Sequence, residues 1–206
     1  VETDPMSAVA EPSDPPAQPR FSATAIILHW AIAALVLANI FVGWRMEQVR
    51  GLEKFELFQL HKSLGITILV FSLARLAWRL IHPPPPYPVT MKAWEKLAAS
   101  TVHWIFYGLM IGLPILGWIV VSASPTNLPT LVYQAIPWPH IGPIHDLPID
   151  QRTGIADTLT SAHVFLAWSM FALLFIHVGA AVKHQFIDRD GVLYQMAPFL
   201  RFGSRP

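Results

Sequence analysis

The chain has no cysteine. This excludes thiolate-ligated iron–sulfur clusters, covalent c-type haem attachment and disulfides. Charge is scarce too: 13% of the 206 residues are Asp, Glu, Lys or Arg, about half the roughly 25% of an average soluble domain. The net charge of +1 gives no electrostatic basis for binding nucleic acid. Apolar residues fill the deficit. They make up 53% of the chain, and mean hydropathy is +0.45. That balance points to a membrane protein. The 19 prolines argue against one uninterrupted helix, and they cluster at the N-terminus and between the apolar runs.

Residues 1–19 are rich in proline, acidic and small residues. They contain no apolar run of the ~7–15 residues that a signal-peptide core needs. Residues 1–20 therefore read as a disordered arm, and 21–202 as one transmembrane domain. Four apolar segments follow, at about 23–44, 57–80, 97–121 and 159–182. Each reaches the ~20 residues that cross a bilayer core. Lipid offers no partner to backbone N–H and C=O groups, so the crossings must be helical. A soluble bundle would show a polar face on each helix. The expected fold class is all-α, an integral membrane four-helix bundle. The proline run after His82 stops the second helix. The connector from Ser122 to Thr158 is long enough to be partly ordered, and it is expected to cap the bundle at the membrane surface. Lys and Arg number nine on the side holding the termini and the second connector, against five on the other. This bias predicts both termini in the cytoplasm.

Five of the nine histidines lie in or beside the apolar segments: His29, His61, His103, His163 and His177. Ionisable groups at such depth normally face a partner or a cofactor. His61 and His163 fall at the outer side; His29, His103 and His177 fall at the inner side. His163 and His177 are 14 residues apart, roughly 21 Å along a helix and only ~40° apart around it. One helix thus offers two imidazoles on one face, one per leaflet. This arrangement suits two bis-histidine haems serving as a transmembrane relay. The outer site pairs His61 with His163. The inner site pairs His177 with His29 or His103, between which depth does not choose. Zinc or copper would want three or four ligands at one depth. Gly43, Gly65, Gly108, Gly112, Gly117 and Gly179 would let a backbone approach a macrocycle or a neighbouring helix.

Several motifs recur on this frame. They are ILHW ending at Trp30, HKSLG at His61–Gly65, R-x-x-W-R at Arg75–Arg79, and H-x-x-x-x-G at His103–Gly108. The pair His163 and His177 completes them, continuing into KHQFIDRDGVLYQM. Together they resemble the bacterial cytochrome b561 family of di-haem membrane proteins over about residues 20–202. The resemblance implies two haem b groups, ligated by His29 with His177 and by His61 with His163. His103 is then a non-ligand near the inner haem. Ubiquinone is the implied redox partner, and the bacterial inner membrane the implied location. One branch of the family oxidises superoxide at the outer face. Related cytochromes pass electrons between quinone and a partner dehydrogenase or another cytochrome.

The remaining polar residues receive expected roles. His184 lies seven residues beyond His177, about 10 Å closer to the cytoplasm. His184 and His103 are candidates for quinone binding or proton delivery. Arg75 and Arg79 are candidates for haem propionates, or for anchors to lipid headgroups. Lys62, beside His61, is a candidate for attracting superoxide. Three functions compete: a superoxide:ubiquinone oxidoreductase, an electron-relay subunit, and a cofactor-free or metal-binding membrane scaffold.

Overall fold

A computed structural model describes residues 20–198. The proposed N-terminal arm and the last residues of the proposed domain lie outside them. Four long helices dominate: α1 (Ala23–Met46), α2 (Gly51–Ile81), α3 (Ala93–Ala123) and α5 (Ile149–Lys183). Between α3 and α5 lie a two-stranded antiparallel hairpin, β1 (Thr130–Val132) with β2 (Ile136–Trp138), and the short α4 (Gly142–His145). A π-helical turn, His184–Asp188, extends α5, and α6 (Val192–Met196) follows it. All four long helices are apolar and long enough to span a membrane, so the protein is a multi-pass helical bundle.

The helices outrun the apolar segments. At ~1.5 Å per residue, the 31 residues of α2 and of α3 exceed the ~30 Å hydrocarbon core. The surplus is polar. α2 starts at Gly51 and not near 57, because Glu53, Lys54 and Glu56 continue the helix outside the lipid. α5 starts at Ile149, ten residues before the apolar run, for the same reason. Local caps set some of the ends. Ser22 Oγ accepts the Ala25 N–H at 3.3 Å to open α1. Glu95 accepts the Lys92 N–H at 3.0 Å to open α3.

The expected surface cap exists, and its docking is specific. Gln59 on α2 donates to the Pro129 carbonyl at 2.9 Å and accepts the Leu131 N–H at 3.3 Å. Tyr133 and Gln134 turn the hairpin with positive φ, 50° and 59°, a conformation that disfavours side chains with a Cβ. Contacts with α2 hold it. The Tyr133 N–H donates to Ser63 Oγ at 2.9 Å, and the Tyr133 hydroxyl pairs with Thr67 at 2.7 Å.

Close contacts run α1–α2, α2–α3 and α3–α5. The bundle centre is Ile32 and Val36 of α1, Ile68 of α2, Tyr107, Met110 and Leu113 of α3, and Met170 of α5. On the side holding the described chain ends, α6 folds back over the bundle. Phe21 N–H donates to the Gln195 carbonyl at 3.3 Å, Trp30 Nε1 to the Met196 carbonyl at 2.9 Å, and Gln195 Nε2 to the Pro86 carbonyl at 3.3 Å.

Candidate functional site

Two histidine pairs face each other at two depths. His61 on α2 and His163 on α5 have ring centroids 6.1 Å apart, inclined at 69°. His29 on α1 and His177 on α5 are 6.3 Å apart, inclined at 61°. Two axial metal–nitrogen bonds of ~2.0 Å, plus ~1.1 Å from each nitrogen to its ring centre, require roughly 6.2 Å. Both spacings meet that requirement. His103 on α3 is 5.7 Å from His177, so it stands beside the same imidazole as His29. Phe106 closes the other flank of His177 at 5.4 Å.

The surroundings also suit a flat macrocycle. The helix pairs bridged by the two spacings, α1–α5 and α2–α5, are not among the most closely packed ones. Glycines flank the rings of the His61–His163 pair. A Cβ at Gly43 would stand 3.4 Å from His61 Cε1, and one at Gly117 3.4 Å from His163 Cε1. Met170, seven residues from each α5 histidine, is buried between the two sites. Among the described residues, the one cluster with three groups of metal-ligand type is Glu95, His184 and Asp188. Lys183 already bridges its two carboxylates.

The charged candidates separate clearly. The Arg75 guanidinium lies 5.6 Å from the Tyr107 ring centre; that of Arg79 lies 5.6 Å from Trp104 and 5.8 Å from Tyr107. Neither arginine has a carboxylate partner among the described residues. Both line one cavity with Trp78, His82 and Met196. Lys62 is buried, and its Nζ donates to the Pro129 carbonyl at 3.0 Å. It therefore fastens the cap as well as carrying charge beside His61. His184 is buried against two carboxylates, Asp190 at 2.6 Å and Asp188 at 3.1 Å.

Several site residues escaped the sequence reading. Gln59 and Ser63 hold the cap, and their role depends on a hairpin seventy residues away. His140 and His145 stack in parallel in the cap, 4.7 Å apart. Burial, His145, Lys62 and Arg152 together lower the His140 pKa, and Lys62 of α2 and Arg152 of α5 bring two cationic side chains to the cap end of the bundle. Asp188 and Asp190 stood inside a quoted motif, but only the π-helical turn brings them onto His184.

Comparison with known proteins agrees with this architecture. The family described as prokaryotic cytochrome b561 matches residues 20–199. "Cytochrome b561 homolog 2" of Escherichia coli (strain K12) is 27% identical over 179 residues, covering 86% of this chain and 90% of the relative. "Probable superoxide oxidase CybB" of Yersinia pestis is 28% identical, covering 87% and 96%. "Cytochrome b562" of Cereibacter sphaeroides is 25% identical, again covering 87% and 96%. A match over nearly all of the described chain, on a bundle whose histidines stand at haem-ligand spacing, makes this protein a member of the prokaryotic cytochrome b561 family, a membrane-embedded cytochrome of the haem b type.

Proposed function

We propose that the protein carries electrons across the bacterial inner membrane between two haem b sites and exchanges them with ubiquinone. The supporting observation is the pair of histidine spacings, 6.1 and 6.3 Å, at two depths on one face of α5. His61 and His163 would hold the outer haem; His29 and His177 would hold the inner one. Haem b held by a histidine pair would supply a one-electron couple suited to electron transfer. Arg75 and Arg79, without a carboxylate partner among the described residues, would pair with propionates at the inner site. The Lys and Arg bias supports an orientation with the chain ends in the cytoplasm.

At the outer face, the reading extends to oxidation of superoxide. Lys62 and Arg152 bring positive charge to the end where an anion would arrive. The relative named a probable superoxide oxidase supports this reading. The second reading is a relay to a partner dehydrogenase or cytochrome. It is favoured by the burial of Lys62, which keeps its ammonium from presenting itself freely to solvent.

A reduced-minus-oxidised spectrum with a haem assay tests the core of the proposal. The expected ratio is about two b-type haems per chain. His61→Ala should remove the outer haem alone, and His29→Ala the inner one alone. A ratio near one in the unmodified protein would sink the pairing. Superoxide-driven haem reduction that slows as salt rises supports the first reading. A rate indifferent to salt favours the relay.

A further inference from the structure

Gln59, Ser63 and Thr67 stand four residues apart and form one stripe along α2. Before Gln59 the stripe holds the exposed Glu56; beyond Thr67 it continues at Val70, 52% exposed, and at the exposed Ala74. His61 is two residues, about 200° around the axis, from both Gln59 and Ser63. The stripe therefore runs down the side of α2 that faces away from the histidine pair, and its far part meets lipid.

The hairpin lies on this stripe. Gln59 holds the Pro129 carbonyl and the Leu131 N–H, Ser63 Oγ accepts the Tyr133 N–H, and Thr67 meets the Tyr133 hydroxyl. β1 thus descends along the helix. The Tyr133 backbone stands level with Ser63, about 3 Å past His61 along the axis, and its hydroxyl reaches Thr67, about 9 Å past. The apolar segment of α2 begins near residue 57, so that hydroxyl is roughly 15 Å inside it.

The hairpin backbone suits such a setting, where lipid offers no partner to an N–H group. Leu131 sends its N–H away from β2, to Gln59. Its register partner is Pro137, so the pair exchanges no ladder bond, and the Pro137 nitrogen faces the outer edge of β2 with no hydrogen to expose. Pro139 repeats this two residues on. At the tip, the Ala135 N–H donates to the Val132 carbonyl at 3.1 Å. Residues 133–137 are all exposed and none is charged; Ile136 is 62% exposed.

We infer that the β1–β2 hairpin is a membrane-inserted element, wedged between α2 and the acyl chains of the leaflet on the His61 side. Its outer face, Tyr133, Ala135, Ile136 and Pro137, takes lipid and is continuous with the exposed Val70 and Leu73 of α2. Its inner face keeps Gln59, Lys62 and Ser63 from lipid. These are the buried polar groups that an apolar segment would otherwise present to acyl chains.

The chain has no cysteine, so single thiols report on depth. The haem-loaded full chain is placed in vesicles of phosphatidylcholine and phosphatidylglycerol. Ala135→Cys and Ile136→Cys are compared with Glu56→Cys as the water reference and Val70→Cys as the lipid reference. Haem content equal to that of the unmodified protein shows that each variant is folded. Ala135→Cys removes none of the hairpin's hydrogen bonds and serves alone if Ile136→Cys loses haem. Both hairpin thiols should react with a membrane-impermeant maleimide about tenfold or more slowly than Glu56→Cys, because apolar surroundings disfavour the thiolate. A fluorophore attached there in detergent should, in vesicles, be quenched by acyl-chain spin-labelled lipid as strongly as one at Val70→Cys. Maleimide rates within about twofold of Glu56→Cys would overturn the insertion. Slow labelling without lipid quenching would overturn it too, since a second copy of the chain would then cover the hairpin.

Discussion

Gly117 on α3 lies against the imidazole of His163 on α5; a Cβ there would stand 3.4 Å from ring carbon Cε1. That distance is an ordinary van der Waals contact, so Gly117→Ala should keep the haem content of the unmodified protein. Valine adds two methyl groups beyond the Cβ, against a ring that must hold its orientation. Overpacking of this kind costs about 1–3 kcal/mol. Gly117→Val should therefore lower outer-site haem occupancy, read as haem per chain in the purified protein. Full occupancy with valine would show that the ring has room to move.

His103 tests the choice of inner ligand. Its ring is closer to His177 than the ring of His29 is, 5.7 against 6.3 Å, and the choice of His29 rests on the family resemblance. His103→Ala should retain both haems with unchanged low-spin spectra. Loss of the inner haem in that variant, with retention in His29→Ala, would reverse the assignment.

The cap hangs on Gln59. Its amide satisfies both the Pro129 carbonyl and the Leu131 N–H. Gln59→Leu leaves both backbone groups without a partner in a partly buried setting, a loss of roughly 1–3 kcal/mol for each group kept from water. Hydrogen exchange should speed up at the hairpin amides while the centres of α1 and α3 stay protected. Unchanged exchange at Leu131 and Tyr133 would show that Lys62 and Ser63 suffice to hold the cap.

His140 makes the outer end sensitive to acid. Burial and the charges of His145, Lys62 and Arg152 lower its pKa in the folded state. The unfolded chain, at about 6.5, then binds its proton first. The contribution to stability is full above that value and is lost as pH falls toward the lowered folded value. Thermal stability should decline from pH 7 toward pH 5. His140→Gln should flatten that decline, and an unchanged slope would assign it to other groups.

The four crossings were legible in the sequence because bilayer thickness and the need to satisfy the backbone leave few choices for a twenty-residue apolar run. The two-depth placement of the histidines was legible too, since fourteen residues of helix return nearly to the same face. Helix ends were not, because hydropathy registers lipid, while the exposed Asp150, Gln151 and Asp157 remain helical. Only tertiary structure placed Gly43 and Gly117 against the outer imidazoles, and only it brought Lys62 and Gln59 under the hairpin. It also gathered Asp188, Asp190 and Glu95 around Lys183 and His184. Those relations join residues distant in the chain, or pass through a π-helical turn that no periodicity announces. The sequence by itself determined how many helices cross the membrane and at what depth each histidine stands. The fold decided which side chains stand beside each imidazole, because that depends on how the helices rotate and lean against one another.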